Sequence, residues 1–537
     1  MTENVVSSTE IIGSQLLSGG RALVRGIGIL GATSFGVACI SLSSSGLLPF
    51  SSVAGLWPGA NIVSVLTIAM IFCVFHAYVY AVIGAAVPHA GADYILASRT
   101  LSAPLAFTAS WTLVIFSALI AGSLIALIPQ STIPILLQIL GTISNNNTML
   151  DLAVTSATPQ GVILVGTVCT VLAFFTSMFS IKIVQRILVA GFVLGLLAWG
   201  AIYFQLGTAP VGAFPAAWDN YMGAGSYAQR ISLAQSLGMV VNSNPGVVTL
   251  AGLIMGFWIF YGYHITTFFA GEVKQPAKTL LAGSWISLFL TWAIFVGGTL
   301  LLLRLVPAEW ISAESYLYQA KYSGLSMPWI IFYAAILRPS FPLVLIVSLG
   351  WIYTLINLVQ TYFFYTSRIV LAWADDKLTP SILGYIHPRF RSPMVAVLFI
   401  AVIAQLGLVD AAQDGIIGSQ LNFVFFAVIS QLIPVVAVTF YPFLKPDWFA
   451  KAPALVRAKI GPIPVITLMG IITLVYLLWW IISSFIYPVV AGPIRPTSLL
   501  ILIVIIISGL VWYWIRGIYN KRNGVDAKQV FSAVPED

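Results

Sequence analysis

A run of small, hydroxyl-bearing residues interrupts the first strongly apolar segment of the chain. It contains Ser41, Ser43, Ser44, Ser45 and Gly46. Serine side chains bond the local backbone and compete with helix hydrogen bonds, so the run predicts a break. The half-helix after such a break can present free N–H groups to an anion. The alternative is a face of small residues that packs against a neighbouring helix.

A second break is indicated around Gly262, which lies between Tyr261 and Tyr263 in another apolar segment. A glycine flanked by large aromatic residues is typical of a kink, or of a break whose rings close over a ligand. His264 follows, and an ionisable side chain inside an apolar segment is costly enough to be a functional candidate. The alternative is a neutral histidine bonded to a neighbouring helix. For His76, which has no break beside it, that structural role is favoured.

The composition identifies the solvent in which these residues fold. Of the 537 residues, 59% are hydrophobic and 7% are charged, whereas soluble domains carry about 25% charged residues. The chain is therefore predicted to lie in a lipid bilayer, which excludes a soluble or disordered protein. The net charge of +8 does not indicate nucleic-acid binding, because the basic residues are scattered between apolar runs. The three cysteines are isolated, so neither a disulfide framework nor a metal site is predicted.

Twelve apolar segments are long enough to cross a bilayer, which takes about 20 helical residues. We number them as spans 1 to 12, with predicted limits 26–50, 61–87, 104–128, 161–181, 187–206, 247–270, 280–303, 341–371, 393–409, 420–443, 463–487 and 497–516. A short turn is predicted at 51–60, and short capping helices at 207–246 and 304–340 on the outer face.

The basic residues predict the orientation, because Lys and Arg concentrate on the cytoplasmic side of short loops. With both termini inside the cell, 19 of the 24 basic residues are cytoplasmic, all except Arg230, Arg304, Lys321, Arg338 and Arg495. We therefore expect a multi-pass protein of the cell membrane with cytoplasmic N- and C-termini.

The two candidate breaks fall in spans 1 and 6, five spans apart. An inverted repeat of five plus five spans produces this arrangement, with the interruptions meeting near the midplane. The fold prediction is an all-α polytopic membrane protein with discontinuous helices 1 and 6 and two additional C-terminal helices. Its predicted parts are a cytoplasmic tail 1–25, a first repeat 26–207, an inverted repeat 247–444, spans 11 and 12 at 463–517, and a cytoplasmic tail 518–537.

Four motifs occur in order along the chain. Ser44, Ser45 and Gly46 resemble a G-S-G break, and residues 88–94, followed by Arg99, resemble P-x-x-G-G-x-Y. Residues 260–276 resemble F-x-G-F-[DE]…E-x-x-x-P. Residues 367–380 resemble S-R…A-x-x-x-D-G-x-L-P, with H-P-x-x-x-x-P following at 387–393. Together the sequence resembles the amino acid, polyamine and organocation transporters, which share the fold of the bacterial leucine transporter.

The resemblance implies roles for the residues at the matching positions. Backbone N–H groups after the first break would bind a substrate carboxylate, and carbonyls at the second would accept hydrogen bonds from its ammonium group. The implied substrate-binding residues are Ser43, Ser44, Ser45, Gly46, Trp258, Ile259, Tyr261 and Gly262. The implied cytoplasmic gate consists of Asp93, Glu272, Arg368 and Asp375. The alternative for these charges is a solvated loop with weak surface pairs.

The coupling ion does not follow from the resemblance. His264 stands where the family usually has an acid, Val82 where span 2 often carries Glu, and residues 188–193 lack the lysine of proton-coupled members. His264 is the candidate for protons. The candidates for sodium are Thr354, Asn357 and Thr361 in span 8. Proton coupling is slightly favoured.

The expected function is secondary transport of amino acids by alternating access, driven by a proton or sodium gradient or run as exchange. No cofactor or bound metal is expected, and the partners are the amino acid and the lipid bilayer, with a homodimer left open. Few acids lie inside the spans to balance a second amine, which favours neutral, apolar substrates. The alternatives are a polyamine or cationic amino acid transporter of the same fold, and a non-transporting amino acid sensor. The sequence shows neither a channel filter nor a convergent set of catalytic groups.

Overall fold

Helices form nearly all of the structure, a computed structural model that describes residues 23, 25–242, 244–322, 328–413, 415, 420–486 and 496–533. Within this part, ten helices are long and apolar enough to cross a membrane. They correspond to spans 2 to 5 and 7 to 12, and their bounds are Ile62–Ala86, Ala103–Ser144, Pro159–Ser177, Ile181–Thr208, Pro276–Leu303, Phe341–Asp375, Met394–Ala412, Phe425–Leu444, Val465–Ile486 and Pro496–Arg522.

The two remaining spans are discontinuous. Span 1 consists of Ile29–Ile40 and Ser44–Leu56, which are bent by 41° relative to each other. Span 6 begins as the shorter apolar helix Pro245–Phe260 and continues only as the 3₁₀ turns Ile265–Phe268 and Ala270–Glu272. The chain is therefore an all-α polytopic membrane protein, as predicted. The division into two repeats stays a prediction.

The predicted turn at 51–60 is wrong for its first half, because the second part of span 1 continues to Leu56. Ser51, in this segment, is buried rather than exposed in a loop. The separate helix Ala308–Gln319 packs on this end of span 1, and Gln319 Nε2 donates a hydrogen bond to the Ser51 carbonyl oxygen at 2.6 Å. Tertiary contacts therefore satisfy the backbone here.

Two other boundaries also differ from prediction. Span 3 does not end at 128 but continues through the π-helical turn Ile128–Thr132 to Ser144. A π turn absorbs an extra residue, so the helix passes Pro129 without ending. In span 6, in contrast, the α-helix ends at Phe260, ten residues before the predicted limit of the span.

Four short helices form where capping segments are predicted. Their bounds are Ala213–Met222, Ser226–Ser236, Ala308–Gln319 and Ile330–Leu337. Aromatic side chains hold them together, and the rings of Trp218 and Trp310 lie 4.6 Å apart edge to face. This group covers the end of span 1 that contains Leu56.

Continuous helices surround the broken ones. Spans 3 and 9 cross backbone to backbone, since a Cβ added at Gly122 or Gly407 would overlap a carbonyl oxygen of the opposite helix. Span 1 packs against spans 5, 7 and 8. The irregular backbone of the breaks is thus covered by protein rather than by lipid.

Candidate functional site

The two breaks touch each other at Gly262. The first part of span 1 ends at Ile40, and Ser41 then adopts a φ of 65°. Gly262 has a φ of 132°. A Cβ added there would lie 2.6 Å from the carbonyl carbon of Cys39 and from the nitrogen of Ile40. Only glycine permits both this conformation and this close approach.

The break in span 1 satisfies much of its own hydrogen bonding. Ser41 and Ser43 share a hydrogen bond between their Oγ atoms at 2.9 Å. The Ser44 N–H donates to Ser41 Oγ at 3.3 Å, and the Ser45 N–H donates to the Ser41 carbonyl at 3.2 Å. Two of the three N–H groups predicted to bind a carboxylate therefore have partners in this state.

Neighbouring spans fix the break from outside. The Trp199 indole N–H of span 5 donates to the Leu42 carbonyl at 2.9 Å. Gly46 packs against the same indole, where an added Cβ would lie 2.6 Å from a ring carbon. Thr354 of span 8 donates its hydroxyl to Ser43 Oγ at 2.9 Å. The peptide groups of the break are therefore held in place by spans 5 and 8.

A small cavity of about 20 Å³ lies between the two breaks and spans 3 and 8. Its lining residues are Cys39, Ile40, Ser44, Ser45, Leu48, Leu124, Trp258, Tyr261, Leu358 and Tyr362. The stacked rings of Trp258 and Tyr261, 5.3 Å apart, form one wall. All the lining residues are buried within the protein. Because these residues are buried, a small molecule would reach the cavity only if the surrounding helices moved.

Half of the predicted substrate-binding residues line this cavity, namely Ser44, Ser45, Trp258 and Tyr261. The others, Ser43, Gly46, Ile259 and Gly262, are not among the lining residues. The prediction missed Leu358 and Tyr362. Both lie on the same face of span 8 as Thr354, at spacings of four residues, and this periodicity could have identified them.

His264 is fully buried beside the break in span 6. Its Nε2 atom lies 3.3 Å from Gln431 Nε2, and its ring lies 5.0 Å from that of Tyr261. The ring of His76 lies 5.1 Å from that of His264. The structure thus brings together two histidines that are far apart in sequence.

The three sodium candidates of span 8 face different neighbours. Thr354 bonds Ser43, as described above, whereas Thr361 donates its hydroxyl to the Leu358 carbonyl at 2.6 Å. The Asn357 amide lies against Gly191 of span 5, where any Cβ would overlap it. These three contacts have no neighbour in common.

The predicted gate contains one buried ion pair. Arg368 Nε donates to Glu272 Oε1 at 2.9 Å, and both side chains are almost fully buried. The guanidinium also lies 3.5 Å above the Phe364 ring. The Glu272 carbonyl accepts the Ile27 N–H at 3.1 Å. The pair joins span 8 to the end of span 6 and the start of span 1, and it is buried rather than solvated.

A second buried pair involves a residue that the prediction did not select. Arg99 donates from Nη1 and Nη2 to the two carboxylate oxygens of Asp376, each at 2.6 Å. The Tyr94 hydroxyl donates to the same carboxylate. Asp375, the predicted gate residue, forms no ion pair within the described part of the chain. Asp376 therefore replaces Asp375 as the paired acid at this position.

Asp93 lies in the first turn of the helix Ala92–Thr100, outside the spans, and is buried. Burial raises the pKa of its carboxyl to about 7, although hydrogen bonds from the backbone N–H groups of Tyr94 and Asp93 act in the opposite direction. The Gly91 N–H donates to the Phe268 carbonyl at 2.7 Å. This contact attaches the start of the helix to the end of span 6.

Comparison with known proteins gives a consistent result. A family model for amino acid permeases matches residues 27–523. The chain is 23% identical over 405 residues to the branched-chain amino acid permease BcaP of Bacillus subtilis, covering 72% of this chain and 75% of that protein. It is 27% identical over 198 residues to an uncharacterized transporter of Rhizobium meliloti, covering 36% of this chain and 37% of that protein.

Proposed function

Since the chain belongs to the amino acid permease family, we propose that it carries neutral, apolar amino acids by alternating access at the cavity between spans 1 and 6. The family makes it an amino acid transporter rather than an enzyme. The chemistry of the cavity carries the proposal about substrate. Among the described residues, its lining combines two serines and a cysteine with aliphatic and aromatic side chains and includes no charged residue.

The absence of charge among the lining residues argues against the alternative substrates. A polyamine or lysine carries a second ammonium group, which would be buried without a counterion if no carboxylate faced it. Leu48, Leu124 and Leu358 instead offer apolar surface to a hydrocarbon side chain. The similarity to a branched-chain amino acid permease supports the same substrate class.

The substrate backbone would bind at the breaks. Its carboxylate would lie at the start of Ser44–Leu56, where the N-terminal end of the helical segment attracts negative charge. To do so, it would replace the bonds that Ser41 makes to the Ser44 and Ser45 N–H groups. The ammonium group would lie near the carbonyls of Trp258, Ile259 and Tyr261. Binding thus exchanges internal hydrogen bonds for substrate bonds at little net cost.

Alternating access would require both sides of the cavity to open in turn. On one side the Trp258 and Tyr261 rings cover the cavity, and their separation would admit substrate. On the other, the buried Arg368–Glu272 pair holds span 6 to span 8. We assign this side to the cytoplasm and both termini to the cell interior, on the basis of the charge distribution in the sequence.

A proton or sodium gradient, or exchange with a second amino acid, would supply the driving force. The sodium candidates Thr354, Asn357 and Thr361 face different neighbours, which weighs against a sodium site in this state. His264 lies beside the cavity wall formed by Tyr261. This position favours proton coupling.

Uptake into proteoliposomes tests the proposal. Labelled leucine, isoleucine, valine, lysine and putrescine are offered with pH and sodium gradients imposed separately. We expect accumulation of the branched amino acids and none of lysine or putrescine. Accumulation of no amino acid would refute the transport proposal, and binding of leucine without translocation would identify a sensor. Preferential uptake of lysine or putrescine would establish the cationic alternative.

A further inference from the structure

A group of buried polar side chains lies beside the break in span 6. His76 and His264 are both fully buried, with ring centroids 5.1 Å apart at 90°. The Tyr80 ring lies beside both histidine rings, with its centroid 4.7 Å from that of His76 and 4.5 Å from that of His264. Gln431 of span 10 contacts His264 Nε2 and lies beside His76. Three spans therefore contribute to one polar cluster inside the membrane.

The cluster is incompletely hydrogen-bonded. His76 Nδ1 is 2.7 Å from the Tyr263 hydroxyl, so one nitrogen of this ring has a partner. Four polar atoms of the cluster are buried without a hydrogen-bond partner among the described residues, namely His76 Nε2, His264 Nδ1, the Tyr80 hydroxyl and Gln431 Oε1. Buried polar atoms are rarely left in this state, and groups that ionise or bind water are among the explanations. Four such atoms in one cluster indicate a site that binds something small and polar.

The surroundings of the two rings restrict their charge. Neither histidine forms an ion pair with an Asp or Glu in the described part of the chain. The titratable groups around them are Cys73 and Tyr80 on span 2, Tyr261 and Tyr263 at the break, Tyr476 on span 11 and, acting on Tyr80 and Tyr261, Asp93. Span 10 contributes the neutral Gln431. Two imidazolium charges this close would repel each other, so the pair of neutral rings is expected to take up one additional proton rather than two.

We propose that His76 and His264, with Gln431 beside them, form a single proton-binding site that takes up one proton in each transport cycle. This inference rests on the proposed amino acid transport and names its coupling groups. Sequence analysis selected His264 alone and assigned His76 a structural role. The geometry makes them one site.

The site is connected in both directions. Tyr261 contacts His264 and also lines the cavity. A movement of the Tyr261 ring on substrate binding would therefore change the surroundings of the two histidines. Towards the proposed cytoplasmic side, Tyr80 lies beside His264 and interacts electrostatically with Asp93. The Gly91–Phe268 hydrogen bond attaches the helix that contains Asp93 to span 6.

The proton balance of the cycle is simple. When the cavity opens outward, water reaches the pair, and one imidazole nitrogen accepts a proton from a hydronium ion, leaving water. After the cavity opens inward, the imidazolium returns this proton to cytoplasmic water by way of the Tyr80 and Asp93 region. A zwitterionic substrate adds no net charge. Each cycle would therefore move one positive charge inward, and transport would respond to membrane voltage.

Three variants test the site in proteoliposomes, with labelled leucine and an internal pH-sensitive dye. His76→Gln and His264→Gln remove the proton-binding groups, and His387→Gln removes a histidine of a loop outside the spans as the matched control. We expect an acid-outside gradient to raise leucine uptake about tenfold in the wild type and His387→Gln, and less than about twofold in the other two. Leucine counterflow at equal pH, which needs no net proton movement, should persist in all of them.

The outcomes separate the two levels of the proposal. Absence of leucine transport by the wild type would refute the proposed function. Leucine transport with gradient-driven uptake intact in His76→Gln or His264→Gln, or driven by sodium in the wild type, would refute the proton site alone. Dye signals should show one proton per leucine in the wild type and none in the two variants.

A milder variant covers the case in which either histidine replacement prevents folding. Tyr263→Phe removes only the hydroxyl that bonds His76 Nδ1. We expect leucine counterflow to be retained and the pH midpoint of gradient-driven uptake to shift by about half a pH unit or more, because a hydrogen bond to a titrating group changes its proton affinity. An unchanged midpoint would overturn the proposal.

Discussion

The breaks in spans 1 and 6 differ in how they treat their polar groups. At the span 1 break, Ser43 bonds both Ser41 and Thr354 of span 8, and the Trp199 indole of span 5 donates to the Leu42 carbonyl. In span 6, His264 Nδ1 has no hydrogen-bond partner among the described residues. We infer that span 1 supplies a fixed binding geometry, whereas span 6 supplies the groups that change charge and position.

The difference has a basis in residue type. Serine hydroxyls both donate and accept, and can satisfy a broken backbone at short range. The large rings around Gly262 pack well but leave few hydrogen bonds available to an imidazole. Substitutions at the two breaks should therefore have unequal effects on stability and transport. The following predictions are ordered from the largest expected effect to the smallest.

Removal of the Glu272 charge should cause the largest loss of stability and transport. Glu272→Gln leaves the buried Arg368 guanidinium without its carboxylate, which typically costs about 3 to 5 kcal/mol. We expect a large drop in the melting temperature of the detergent-solubilised protein and little remaining transport. Glu309→Gln, at an exposed acid, is the control and should change neither. Equal stability of the two variants would show that the Arg368–Glu272 pair does not hold span 6.

Asp93 should make stability depend on pH. Its folded pKa of about 7 lies above the ordinary value of 3.8, so the stability associated with its protonated form is complete below about pH 4 and is lost as pH rises through about 7. The full difference is on the order of 4 kcal/mol. We expect melting temperature to fall over this range, and to fall less in Asp93→Asn. Identical pH profiles would contradict the burial of a titrating carboxyl beside span 6.

Gly262→Ala should separate the two breaks. The added Cβ would meet the span 1 backbone at 2.6 Å, and alanine disfavours a φ of 132°. Overpacking of this kind costs about 1 to 3 kcal/mol, and leucine transport should be lost. Gly200→Ala is the matched control, because its Cβ meets nothing within 4 Å. Normal transport by Gly262→Ala would mean that contact between the breaks is unnecessary.

The smallest effect is expected at the two hydroxyls, Ser43 of span 1 and Thr354 of span 8, that bond each other at the span 1 break. Ser43→Ala and Thr354→Val each remove one side of the bond that fixes the break. A hydrogen bond of this kind contributes about 1 kcal/mol, which corresponds to a several-fold rise in the KM for leucine. The double variant should be little worse than Ser43→Ala alone, because Ser43→Ala already removes the bond to Thr354 together with the bond to Ser41. Fully additive effects would show that the two hydroxyls act separately.

Local composition was sufficient to predict both breaks. The serine run and the aromatic-flanked Gly262 change the backbone through their own chemistry, so their positions follow from the sequence. The continuation of span 1 to Leu56 did not follow, because it depends on Gln319, which is distant in sequence. The pairing of His76 with His264 likewise depends on how spans 2 and 6 pack.

Side-chain direction limits what could be predicted at the gate. Asp375 and Asp376 are adjacent at the end of span 8, and successive helical residues point about 100° apart. Only the packed position of Arg99 determines that Asp376 forms the pair. Leu124 also lines the cavity only because span 3 passes close to both breaks.

Substrate protection of Cys39 tests the central claim, that the amino acid binds between the two breaks. Cys39 lines the cavity, and the chain has only two other cysteines, Cys73 and Cys169. With these replaced by alanine and leucine uptake verified, the rate of Cys39 alkylation by N-ethylmaleimide is measured with and without substrate. We predict that leucine slows alkylation several-fold and that lysine does not. An unchanged rate at a leucine concentration that saturates uptake would contradict this location of the site.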